Sequence, residues 1–257
     1  MTDTVIKYEE RLVAFIDILG WSSACKSEQT PQSLHRVITI IHRIGEAYNE
    51  AERSRLLAIE KTGHVQVNPM YMQVRVAVFS DCIAISMPEE FGPRILHTAA
   101  DVARGLLASG FLCRGGIAKG RIYHCDNLIF GPALIRAVEL EKSAFLPVIL
   151  CAQEVVQQVR CEREANKYLC LMSDPCGRAV VDPFFIGQKF DNLIDQEERI
   201  PKMLEFDAIE HSFRVAATAL LDEKVRAKWQ CAKSMLIQSL RQYGPAAQSM
   251  ISRLEAI

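Results

Sequence analysis

Two carboxylates stand in stretches where a charge is costly. In RLVAFIDILGWS, residues 11 to 22, Asp17 is the one charge after Arg11 in an apolar run. In QVRVAVFSDCIAISM, residues 73 to 87, the polar pair Ser80 and Asp81 breaks a Val- and Ile-rich alternation in two. An ionised carboxylate among apolar groups is unfavourable unless hydrogen-bonded or bound to a metal. Two that meet make a hard, oxygen-rich site suited to Mg2+ or Mn2+ carrying a polyphosphate. Singly, each has a plainer reading: Asp17 as a cap or turn carboxylate, Ser80-Asp81 as ordinary turn chemistry. The metal reading rests on the pair and on the elements that join it.

Those elements are legible as changes of period. The run ending near Asp17 reads as a strand. Residues 30 to 56 follow with Pro31 in a first-turn position and apolar Leu34, Val37, Ile38, Ile41, Ile44 and Tyr48 at helical spacing. Residues 73 to 87 read as a hairpin with Asp81 in its turn. Residues 93 to 110 return to the helical period and stop at Gly110. FLCRGGIAKGRIYH predicts a strand, whose Gly115, Gly116 and Gly120 mark a bulge or a strand end. GPALIRAVELEKSA predicts a short helix opened by Gly131 and Pro132, and PVILCAQEVV a strand running into a helix. The order is βαββαβ continued by αβ, an α/β fold whose helix-separated strands are expected as parallel neighbours. It places the first strand beside the central hairpin, so Asp17 and Asp81 can meet.

Beyond residue 185 the chain changes. DNLIDQEERIPKM reads as a polar linking loop, and two helical stretches follow from Asp207. The expected division is a catalytic domain over 1–185 and a linking loop with a helical extension over 186–257.

Composition narrows the functions. A net charge of −1 gives no reason to expect nucleic acid or an anionic membrane as partner. No apolar run approaches the ~20 residues that cross a bilayer, and no charged start precedes an apolar stretch. A soluble, cytoplasmic chain is expected. The nine cysteines contain no C-x-x-C pair and the six histidines no ligand pair. Both observations disfavour a disulfide framework or a zinc site.

At this point a resemblance becomes specific. FIDILGW at Phe15 to Trp21 resembles the first metal motif of class III nucleotide cyclases, and FSDC at Phe79 to Cys82 their metal-bearing hairpin. RGGIAKG at Arg114 to Gly120 and IFG at Ile129 to Gly131 are similar to two later family motifs. Within the family, GPALIRAVELEK, the Val180 to Phe184 segment and the helical extension look most like the pyrimidine cyclases of bacterial Pycsar anti-phage systems. The resemblance implies a ferredoxin-like core and a homodimer with sites at the interface. It also implies conversion of UTP or CTP to a cyclic monophosphate that activates a separate effector. Two Mn2+ or Mg2+ ions per site would be held by Asp17, Asp81 and the Ile18 carbonyl. The triphosphate would lie on the Leu19 to Ser22 amides, with Phe15, Gly20, Trp21 and Tyr48 around the nucleotide.

The departures are informative. Where purine cyclases keep polar base readers, Ala77 and Leu128 stand here, which argues for another base. Where they keep an Asn and an Arg for the transition state, Ile135 and Glu139 stand. Arg136 is the nearest cation on that helix and the candidate substitute, against an ion pair with Glu139. Lys119, Lys142 and Arg75 are weaker phosphate or base candidates. Arg114 either pairs across a subunit contact or is exposed. A uridylate cyclase is the leading reading. The alternatives are a cytidylate or purine cyclase and a catalytically silent nucleotide-binding sensor dimer.

Overall fold

The computed structural model describes residues 7–26, 35, 39, 74–161, 170–186 and 193–257. Strand β1 (Glu9–Leu19) buries the consecutive residues Arg11 to Ile16. Because successive side chains point to opposite faces, both faces of this strand are covered. It lies inside an eight-stranded sheet ordered β2-β3-β1-β4-β6-β8-β7, with β2 at Arg75–Phe79, β3 at Cys82–Pro88 and β4 at Leu112–Cys125. Beyond these are β6 (Ile149–Cys151), β7 (Leu171–Ser173) and β8 (Ala179–Val181), while β5 (Leu128–Phe130) pairs with the end of β4.

The expectation of parallel neighbours is corrected for the central strands. β1 is antiparallel to both β3 and β4. The physical reason is the tight Ser80-Asp81 turn, which forces β2 and β3 antiparallel and inserts β3 between β1 and its parallel mate β2. This is the split arrangement of a ferredoxin-like βαββαβ core. Parallel neighbours occur at β4 and β6, across a helix. The helix predicted over residues 30 to 56, with Tyr48, lies outside the described residues.

Three helices lie close to the sheet in sequence: α1 (Trp21–Lys26), α2 (Arg94–Ala108) and α3 (Pro132–Ser143). α2 buries Ile95, Leu96, Ala99, Val102 and Leu106 in the core that contains Leu12, Ile16 and Ile83. α3 passes so close to β4 that a Cβ on Gly116 would lie 2.2 Å from the Ala137 carbonyl oxygen. Gly115 and Gly116 are thus mid-strand sites of close backbone approach, not the bulge or strand end expected. Helix α4 (Gln153–Cys161) follows β6.

Residues 191–203, expected as a loop, hold α5 (Leu193–Met203). Ile200 and Leu204 are buried in a second apolar cluster, with Met203 packed against it. The two helical stretches expected after it are three helices, α6 (Phe206–Thr218), α7 (Glu223–Leu240) and α8 (Gln248–Glu255), with a 3-10 turn broken at Gly244. They contribute to this second cluster, which includes Phe206, Phe213, Leu236 and Leu254, and which also takes Leu107 of α2 and Leu112 of β4. Contacts therefore cross residue 185: the Tyr243 hydroxyl donates to the Phe184 carbonyl at 3.0 Å and accepts from the Ile186 amide at 2.6 Å.

Near the start of β1, opposite the Asp17 end, lies a buried polar network. Arg11 is fully buried and donates from Nε to Ser86 Oγ at 3.0 Å and from Nη1 to Glu9 at 2.8 Å. Ser86 Oγ lies 2.7 Å from Nδ1 of buried His124. All nine cysteines are free thiols. Among the described residues no helix is long and apolar enough to cross a membrane.

Candidate functional site

The β1–β3 register places Asp17 opposite Cys82, the residue after Asp81. The Ile18 amide donates to the Asp81 carbonyl at 2.8 Å, which ties the hairpin turn to the end of β1. Ser80 adopts φ +56°, the left-handed conformation that reverses the chain. As a result one ligand atom from each of Asp17, Asp81 and Cys82 lies within 4.8 Å of the others. Burial, then the charges of Asp81 and Asp17, push the Cys82 thiol up to about 12. The two carboxylates supply hard oxygen donors, which suit a divalent cation such as Mg2+ or Mn2+.

Immediately after β1, Gly20 turns at φ +85°, and α1 begins at Trp21. The Ala24 amide bonds the Gly20 carbonyl at 3.0 Å, and Trp21 packs on Phe111 with ring centroids 5.9 Å apart. Ser22 is exposed beside them. On the other side of this turn an open cavity of about 1360 Å3 is lined by Leu19, Gly20, Phe111, Lys228 and Trp229 among others. Nothing in the local sequence connects residue 229 with residue 20, so this feature is invisible before folding.

Arg114 is half-buried and paired within its own chain: the β1–β4 register sets it across from Asp17, and its Nε donates to Asp17 Oδ2 at 3.0 Å. The same nitrogen lies 2.5 Å from Oε1 of Glu141 on α3, a residue only 4% exposed. Burial raises the Glu141 carboxyl, the Arg114 charge lowers it, and Asp17 raises it again.

The other candidates are placed less centrally. Arg136 is exposed and pairs with Glu154 of α4 at 2.9 Å, not with Glu139, and has no contact with the two carboxylates. Lys119 pairs with Glu89 at 2.6 Å, and Arg75 bonds Glu9 and the His124 carbonyl, so these cations serve the fold. Lys142 is in the last turn of α3. Phe15 is buried and lies against the exposed Phe79, with ring centroids 6.3 Å apart. Ala77, on β2 opposite Ala84 of β3, is fully buried, and Leu128 on β5 is exposed. Tyr48 lies outside the described residues.

No protein-family model and no curated protein matches the chain. Among solved structures it is similar to a bacterial light-regulated adenylyl cyclase at 16% identity and a TM-score of 0.47, covering 81% of this chain. The chain spans 60% of that protein's length. It is also similar to the adenylyl cyclase CyaB from P. aeruginosa, at 14% identity and TM-score 0.41, with 68% of this chain and 92% of that one covered. The guanylyl cyclase Cya2 matches at 10% identity and TM-score 0.40, over 72% of this chain and 96% of that one.

Proposed function

We propose that the chain is a nucleotide cyclase that converts a pyrimidine nucleoside triphosphate, UTP foremost, to its 3′,5′-cyclic monophosphate and diphosphate. The observation that carries this reading is the meeting of Asp17 and Asp81 within 4.8 Å at a strand end followed directly by a glycine turn. Asp17, Asp81 and the Ile18 carbonyl would hold two Mn2+ or Mg2+ ions. Such ions lower the pKa of the ribose 3′-hydroxyl and neutralise the triphosphate. The chain's own part is positional. The amides from Leu19 to Ser22 orient the phosphates, Gly20 lets them approach, and the β2–β3 hairpin fixes Asp81 against Asp17. Cyclisation needs the 3′-oxygen in line with the departing diphosphate, so holding these groups is most of the work.

The active species is a homodimer with base and transition-state contacts supplied across the interface, where Arg136 would act from the second subunit. The pyrimidine preference rests on the sequence, which has Ala77 and Leu128 at the positions where purine cyclases keep polar base readers, and on the resemblance to the Pycsar cyclases. By resemblance to the Pycsar cyclases, the product is a messenger for a separate effector in anti-phage defence. One observation favours a second reading, a silent nucleotide-binding dimer: Ile135 and Glu139 occupy the Asn and Arg positions, and Arg136 is engaged by Glu154. The test is incubation of pure protein with each nucleoside triphosphate and Mn2+, with products identified by mass. A cyclic nucleotide is expected, and its formation should fall on the order of 1,000-fold in folded Asp17→Ala and Asp81→Ala variants, the several kcal/mol that metal-borne charge stabilisation supplies. No cyclic product from any substrate would favour the silent dimer.

A further inference from the structure

Arg114 Nε lies 3.0 Å from Asp17 Oδ2 and 2.5 Å from Glu141 Oε1. Glu141 is buried, and a buried carboxylate is rare unless paired. Its charge partner is the nitrogen whose hydrogen goes to Asp17 Oδ2, a candidate metal ligand, so Glu141 Oε1 faces Arg114 as an ion pair without a hydrogen bond among the described residues. One guanidinium serves two carboxylates, and its attraction to one is weakened by the other.

We propose that Glu141 is a positioning residue that shares the charge of Arg114 with Asp17 and so keeps Asp17 able to bind a divalent cation. The inference rests on the reading of Asp17 and Asp81 as metal ligands. Three carboxylates and one guanidinium leave Asp17, Asp81, Glu141 and Arg114 with a formal charge of −2, which attracts divalent cations. A neutral residue at 141 lowers that to −1 and directs the whole attraction of Arg114 to Asp17, where it competes with the ion at contact distance. In partly buried surroundings an interaction at this range is large enough to move a binding constant about tenfold or more. Removing Arg114 as well removes the competitor.

The test titrates the full chain with Mn2+ alone, without nucleotide, following free Mn2+ by electron paramagnetic resonance. Asp17→Ala identifies the site, and circular dichroism checks each fold. Glu141→Gln is expected to bind Mn2+ about tenfold more weakly than wild type, and Arg114→Gln with Glu141→Gln to return within about threefold of it. A role for Glu141 in packing alone produces no such rescue. Wild-type affinity in Glu141→Gln, or a double variant no tighter than the single one, would overturn the inference while leaving the metal reading intact. Equal binding by wild type and Asp17→Ala would overturn the metal reading and the inference with it. Should Glu141→Gln fail to fold, Arg114→Gln decides: affinity at least equal to wild type is expected, and clear weakening contradicts the proposal.

Discussion

A carboxylate costs the fold least where it has a partner, and Asp17, Asp81 and Glu141 show how differently that can be arranged. Asp17 and Asp81 were legible in sequence because each interrupts an apolar run. Arg114 and Glu141 were not, because lone charges beside glycines or in a helix usually face solvent, and only the β1–β4 register reveals otherwise. The same holds for His124, an unremarked histidine that folding buries between Ser86, Arg11 and Arg75. Burial first, then the Arg11 and Arg75 charges, pushes it from 6.5 down to about 4. The folded chain then refuses a proton that the unfolded chain accepts between those values, so stability is full above pH ~6.5 and is lost as pH falls toward 4. At 1.36 kcal/mol per unit the loss approaches about 3 kcal/mol. Urea denaturation from pH 7 to 4 should show this slope in wild type and its reduction in His124→Asn. An unchanged slope in that variant would contradict the assignment.

At the scale of elements, the periodicity located the strands and helices of the core but not their directions. Pairing across β1 depends on a two-residue turn that lets β3 come between strands a crossover would otherwise make neighbours. Helix α5 was hidden for a different reason: its charge-rich sequence reads as loop until Ile200 and Leu204 acquire a surface to cover. The adjacent glycines of RGGIAKG, expected at a bulge or strand end, sit at close approaches instead, Gly116 against α3 and Gly115 against the Phe15 carbonyl of β1. A methyl group at Gly116 has to displace the Ala137 backbone, which also moves Glu141 one turn along the same helix. Gly116→Ala should therefore lower stability by about 2 kcal/mol, within the range for overpacking a dense core. Chemical denaturation checks this, and a variant as stable as wild type would show that α3 shifts freely.

For the molecule as a whole, the helical extension is not a separate body. Leu107 of α2 and Leu112 of β4 share a cluster with Phe206, Leu236 and Leu254, and Asp182 accepts from the Ser239 hydroxyl at 2.7 Å. The chain carries two tryptophans, Trp21 beside the candidate site and Trp229 in α7, so each reports one side of that shared core. Fluorescence of Trp21→Phe and Trp229→Phe should give coincident unfolding transitions, as one cooperative unit requires. Separated midpoints would mean two independent domains. The central claim, that the Asp17–Asp81 end of this sheet cyclises a pyrimidine nucleotide, is tested most directly by competition. UTP, CTP, ATP and GTP are supplied together at equal concentration with Mn2+, and the cyclic products are resolved by mass. Cyclic UMP is the predicted main product, lost in Asp81→Ala; a dominant cyclic AMP or cyclic GMP product would contradict the claim.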